Sequence, residues 1–518
     1  MPSFPRRTRA FALAAAAFLA LLPLAGAQEH EHAGDKGAAL VLVDGPADGR
    51  ALVGAYTHFG FALLDKEGNP VVHQNAQFNV LQGKDVLFST TDTHEYDGLF
   101  TLDLRFTKPG PYQVIASSGE MALGVFEGVA VAPTSPVRAS IAFEATPTGP
   151  AARTFQVSVS VLDERGAIVP HSDAIVEFRD ARTGLLQSRS HLHIHEEPIR
   201  FLQGFGAVTD VVATVVGYVA FAEETDPQVP AVVAEFPLAV GALSLPGAPT
   251  PPAAPPAPLE QVGPKASADG LTLHAMYDPQ NQVGVGQTAR LAALVTQDAT
   301  RAPLAHVDFT FVLTGPRGLL FSSDSLHEYD GMFEHVFTPD VPGLYEGVLT
   351  AHEGSGLTVR HTLLVVPPAV PLLGGTGPIE LGVDGLERIV AGAPANLTFF
   401  ARGPAGPAAH SEVDVTVFHD GEPPLYQFKL HTHGSGLTNA LLLFPHEGEW
   451  KIRIDGAPTV PEASVYLPAL VSFRIAAAAP GGTVPAAMEG GAAAQVPGAW
   501  AALAALALVA AAALARRR

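Results

Sequence analysis

No cysteine occurs among the 518 residues. Disulfides, thiolate zinc sites, iron–sulfur clusters, cysteine nucleophiles and a lipidated N-terminal cysteine are therefore excluded, and each module must be held by its own core. Methionine (5) and tryptophan (2) are scarce, which leaves little from which to build a thioether site for Cu(I). Basic residues are outnumbered, 30 Lys plus Arg against 51 Asp plus Glu, for a net charge of -21. Such a surface repels phosphate backbones and excludes nucleic acid as a partner. Between the two ends, long segments of helical period are missing as well. There is no nucleophile elbow, phosphate-cradling loop or His-Glu-x-x-His helix, so no enzyme is expected.

With 47% apolar and 16% charged residues, the chain is too hydrophobic for global disorder and too polar for a multi-span membrane protein. Its length predicts three to five domains. Residues 1–27 carry Arg6, Arg7 and Arg9, an apolar stretch from Ala10 to Leu24 and the small run Ala25-Gly26-Ala27, the pattern of a signal peptide. Residues 496–515 form an Ala/Leu/Val run followed by Arg516, Arg517 and Arg518. This predicts a transmembrane anchor or sorting helix with the arginines on the cytoplasmic side. The expected location is outside the cytoplasm, at the cell surface or periplasmic face, with the membrane and cell-envelope proteins as neighbours. Cleavage after Ala27 would expose Gln28-Glu29-His30, a square-planar chelate for Cu(II) or Ni(II) as long as Gln28 does not cyclise.

Between the ends, apolar residues alternate in short runs bounded by Gly, Pro, Asp and Asn, as in Phe155 to Leu162, Val413 to Phe418 and Lys451 to Ile454. These predict strands of β-sandwiches. Internal repeats are visible: LFSTTDTHEYDG from Leu87 is echoed by LFSSDSLHEYDG from Leu320, and Pro170-His171-Ser172 with Leu192-His193-Ile194-His195 by Ala409-His410-Ser411 with Leu430-His431-Thr432-His433. The reading is all-β, with four tandem immunoglobulin-like sandwiches in an A-B-linker-A-B order: 36–135, 136–240, 269–368 and 369–477. A Pro/Ala-rich linker spans 241–268 and a low-complexity linker 478–495.

The 20 histidines are the most informative feature of the composition. Every module has a histidine before a strand and another 21 or 22 residues later: His73 and His94, His171 and His193, His306 and His327, His410 and His431. That interval is a strand, a turn and part of the return strand, so the two imidazoles can meet across a hairpin. In the B modules the second position is His-x-His, and residues i and i+2 share a face. His171, His193 and His195, and likewise His410, His431 and His433, are thus candidate three-nitrogen sites for a copper or zinc ion. In the A modules the His73/His94 and His306/His327 pairs would need a carboxylate, for which Asp92 and Asp324 are the candidates. His191, His419 and His446 lie near these clusters and default to solvated surface positions. Asn396-Leu397-Thr398 fits a glycosylation sequon.

From Ala409 to Ile454, the His-x-His-Gly run, the following apolar strand and Phe444-Pro445-His446-Glu447-Gly448-Glu449-Trp450 resemble YtkA-like and FixH-like exported domains. The resemblance implies a sandwich fold and, since several members are associated with copper handling or cytochrome oxidase assembly, a copper-binding role. The chain departs from the pattern in having no Met-rich segment. Two functions are expected: an anchored extracytoplasmic protein binding a divalent transition metal, or a structural, adhesion or spacer protein built of repeats.

Overall fold

The computed structural model describes residues 39–476, apart from 66–68, 118–123, 134–137, 150–152, 220–229, 241–264, 279–281, 329–331, 367–378, 459–465 and single or paired positions that include His73, His410 and His433. The expected signal peptide, most of the Pro/Ala-rich linker, the second linker, the C-terminal helix and Gln28 to His30 lie outside the described residues. Among the described residues no helix is long and apolar enough to cross a membrane.

The fold is all-β, with a single 3-10 turn at Leu386–Arg388 among the described residues. Strands fall where the alternation predicts. In Thr154–Leu162 the side chains of Phe155, Val157, Val159 and Val161 are buried while Gln156 is exposed, as one covered face requires.

Four strands break that alternation. Tyr56–Leu64, Ser172–Asp180, Ala289–Gln297 and Ser411–His419 are buried along nearly their whole length. A strand reads this way when both of its faces are covered. Each belongs to a different module, and each turns its second face toward the other modules. Ile175 packs with Leu52, Ala55, Tyr56 and Tyr218, while Ala292, Leu294 and Met332 pack with Ala62, Leu64 and Leu99.

The four modules do not stand as two independent A-B pairs. Two sheets run from the first module into the fourth, and two from the second into the third. At the first seam Leu102 pairs with Phe428 and Ser89 with Leu441. At the second, Leu202 pairs with Ser322 and Arg189 with Val336. Each joined pair of sheets encloses one continuous core, with Val176, Phe178, Phe201, Phe321 and Phe333 in one and Phe78, Phe100, Phe399, Trp450 and Ile452 in the other. Among the described residues the A and B modules of one A-B pair thus share no sheet, and each extends its sheets with a module of the other pair.

Candidate metal centre

The hairpin Ser172–Asp180 with Leu186–Ile194 sets the site. Its register places Asp173 opposite His193, and the carboxylate Oδ1 lies 2.7 Å from Nδ1 of His193. Just before the hairpin His171 adopts a left-handed backbone conformation (φ 53), uncommon for any residue but glycine and enriched at functional sites. His195 follows His193 by two residues and so leaves the strand end on the same side. The outcome is that one nitrogen each from His171, His193 and His195 lies within 4.8 Å of the others. The Nδ1 of His171 is buried without a hydrogen bond. Neighbouring rings meet edge to face, with centroids 4.9 Å apart for His193 and His195 and 5.1 Å for His171 and His195.

The third module repeats the device across the seam. His306 is also left-handed (φ 59), Asp308 pairs with His327 in register, and its Oδ1 lies 2.7 Å from Nδ1 of His327. The other nitrogen of His327, Nε2, is 3.4 Å from Nδ1 of His306. The His327 ring stands 4.4 Å from that of His195 and 5.6 Å from that of His193. The two expected sites, one per module, therefore converge into one cluster.

Electrostatics favour neutral rings at His195 and His306. Burial lowers the pKa of His195 to about 4, reinforced by His327, His193 and His171 around it. His306 is lowered by burial and then by the same cluster. A carboxylate accepting from Nδ1 fixes the proton on that nitrogen and leaves Nε2 as the metal-facing atom. Neutral imidazoles with orienting carboxylates are the donor set that zinc and Cu(II) take.

Other predicted residues are placed differently. His73, His410 and His433 lie outside the described residues, and of His94 only the backbone is described, opposite Asn75. His431 is buried and paired in register with Glu412. The carboxylate that serves His327 is Asp308 on the neighbouring strand, not the expected Asp324, which is exposed on the strand of His327 itself. None of the three auxiliary histidines is simply solvated: Tyr218 Oη lies 2.8 Å from Nε2 of His191, and His419 and His446 pack on Trp450 with centroids at 5.2 and 5.1 Å.

The sequence offered a signal for the orienting groups that spacing alone passed over. In every module the residue two places after the first histidine, namely Asn75, Asp173, Asp308 or Glu412, is the register partner of the second. Also missed was a polar cavity of about 70 Å3 at the meeting of the four modules, lined among others by Asp103, Arg189, Arg290, Glu334, Asp414 and Lys429. Burial raises the pKa of Asp414. Burial opposes ionisation of Glu334 too, but Arg290 and Arg189 lower it.

No family model matches the chain, and no curated protein matches it. Among solved structures it is similar to Escherichia coli alpha-2-macroglobulin activated by porcine elastase, at 11% identity over 86% of this chain and 44% of that one, with a TM-score of 0.18. It is similar also to domains 4-9 of surface layer protein SbsC, at 12% identity over 85% and 65% with a TM-score of 0.18. A third similarity is to Yersinia pseudotuberculosis adhesin InvE, at 14% identity over 41% and 60% with a TM-score of 0.16. The chain spans less than half the length of the alpha-2-macroglobulin chains. At such scores none of these likenesses assigns a function.

Proposed function

We propose that the chain is a non-catalytic, exported surface protein of four immunoglobulin-like modules, anchored by its C-terminal segment, whose scaffold holds a divalent transition-metal ion. The observation that carries the metal is the convergence of His171, His193 and His195 within 4.8 Å. Three imidazoles leave a fourth position open, and copper or zinc is the ion this donor set takes. Export rests on the basic and apolar leader, and anchoring on the apolar C-terminal run with its arginines. The resemblance to YtkA-like and FixH-like domains favours copper. The acidic surface, 24 basic against 51 acidic residues once the six Arg of the two ends are set aside, draws cations toward it.

A second reading, a purely structural surface repeat or spacer, is favoured by the two shared cores, which join the modules with no need of an ion. The two readings part in a titration of the intact chain with zinc and, separately, with Cu(II). Metal binding predicts one saturable site and a raised melting temperature, since a ligand of the native state stabilises by about 2.7 kcal/mol at a hundred times its Kd. A His193→Ala, His195→Ala double variant should lose both. A wild-type melt unmoved by excess of either ion leaves the structural reading alone.

A further inference from the structure

We infer that His327 completes the coordination of this ion from the opposite side of the seam, so that a single metal clamps the two halves of the duplicated chain together. The inference rests on the metal reading above and adds to it the fourth ligand and its consequence.

Three observations converge on His327. Its ring is 4.4 Å from His195 and 5.6 Å from His193, in contact with two of the three triad rings from the other side of the seam. Asp308 holds Nδ1 at 2.7 Å, which makes Nε2 the outward atom and repeats the Asp173–His193 arrangement on the other wall. Its Nε2 sits 3.4 Å from Nδ1 of His306. On binding, Nε2 of His327 leaves His306 for the ion, and His306 serves as its resting contact.

The seam is where such a clamp acts. His193 and His195 lie at the end of the strand Leu186–Ile194, and His327 one residue from the end of Gly318–Glu328. Backbone pairing across the same seam is short, Leu202 with Ser322 and Gln203 with Phe321 in one sheet and Ser188 to Ser190 with His335 to Phe337 in the other. A closed four-nitrogen site is of the structural type, in which binding energy adds to that of the fold.

The experiment uses the full chain, with zinc alone as probe for affinity and Co(II) alone for geometry. The wild type should bind one ion with the visible spectrum of a four-nitrogen tetrahedral site, and zinc should slow amide hydrogen exchange on both sides of the seam, at Leu202–Gln203 and Phe321–Ser322. His327→Ala should weaken zinc at least tenfold, keep the stoichiometry at one and abolish the seam protection. His306→Ala should weaken it far less. His327→Gln, which retains a polar partner for Asp308, repeats the test should the alanine variant fold poorly. Binding and seam protection unchanged in both His327 variants, or two ions per chain, overturns the clamp while the triad stands. No zinc bound by the wild type overturns the metal reading itself.

Discussion

Asp308 reaches across its hairpin to His327 at 2.7 Å, and Asp173 does the same to His193 at the same distance. The two contacts are equivalent pairs in different halves of the duplication, in modules of different type. A carboxylate–imidazole pair orients the ring and raises the basicity of its far nitrogen. Both pairs border one cluster, which gives that cluster a supporting shell on each side of the seam.

Removing the charge but not the shape of these carboxylates tests the shell. Asp173→Asn keeps an oxygen able to accept from Nδ1 of His193, so the melting temperature of the metal-free chain should change little. Zinc affinity should fall about 10–100-fold, the usual loss when an outer-shell partner of a metal ligand is changed. Calorimetric titration beside a metal-free melt separates the two effects. Equal zinc affinity in variant and wild type would show that Asp173 only fills space.

The seam itself is tested at Gly204. A Cβ built there would lie 2.1 Å from the carbonyl oxygen of Leu319 and 3.0 Å from Cα of Leu320. Both are backbone atoms of the third module and cannot swing aside, so only glycine permits the sheets to join at this point. Gly204→Ala should destabilise by about 1–3 kcal/mol, the usual cost of overpacking. In hydrogen exchange the loss should concentrate at Leu202 to Gln203 and Phe321 to Ser322. A loss spread evenly over the chain would mean that the seam is not an independent weak point.

Strands and repeats were legible in the sequence because the period-2 pattern of Phe155 to Leu162 and the echoed LFS segments are local signals. Which edges join was not. The pairing of Leu102 with Phe428 or Leu202 with Ser322 depends on distant residues whose apolar pattern would serve any partner equally. The His-x-His face of His193 and His195 was readable from strand geometry, whereas the arrival of His327 beside it follows from the seam and could not be read. Continuous burial in Ser172–Asp180 hid a clue: Asp173, Glu177 and Arg179 are buried charges that alternate with apolar Ala174, Val176 and Phe178, and they mark the face turned toward the other modules.

His335 makes stability depend on pH. It is buried, with Nδ1 2.9 Å from Oγ of Ser190 across the seam, and burial lowers its pKa to about 3. A base whose folded pKa lies below its unfolded value of about 6.5 is neutral in the native state, and the unfolded chain binds the extra proton. The stability it supports is full above about pH 6.5 and is lost as pH falls from there toward about 3. A His335→Phe variant should therefore show a shallower loss of stability between pH 6.5 and 4, by up to about 1.4 kcal/mol per pH unit, with denaturant unfolding as the measure. Parallel profiles would place the acid sensitivity in other groups.

Arg179 forms a bidentate pair with Asp455 at 2.9 and 3.0 Å, linking the second module to the fourth. It also donates to Glu177 at 3.0 Å, which in turn lies 3.6 Å from Arg189 and 3.8 Å from Arg453. Burial alone would raise the pKa of Glu177, but Arg179, Arg189 and Arg453 outweigh it and lower it to about 2. The two carboxylates are therefore unequal. Asp455→Asn leaves Arg179 paired with Glu177, and its cost should be modest. Glu177→Gln leaves three guanidinium groups around a neutral amide, and unfolding free energy should drop by about 3–5 kcal/mol, as when a buried pair loses one partner. The pH profile offers a second check: the contribution of Glu177 is complete above its unfolded pKa of about 4.3 and disappears as pH falls toward about 2. The glutamine variant should thus lose its deficit relative to wild type in that window. A larger loss for Asp455→Asn than for Glu177→Gln would instead put the weight of the network on the contact between modules.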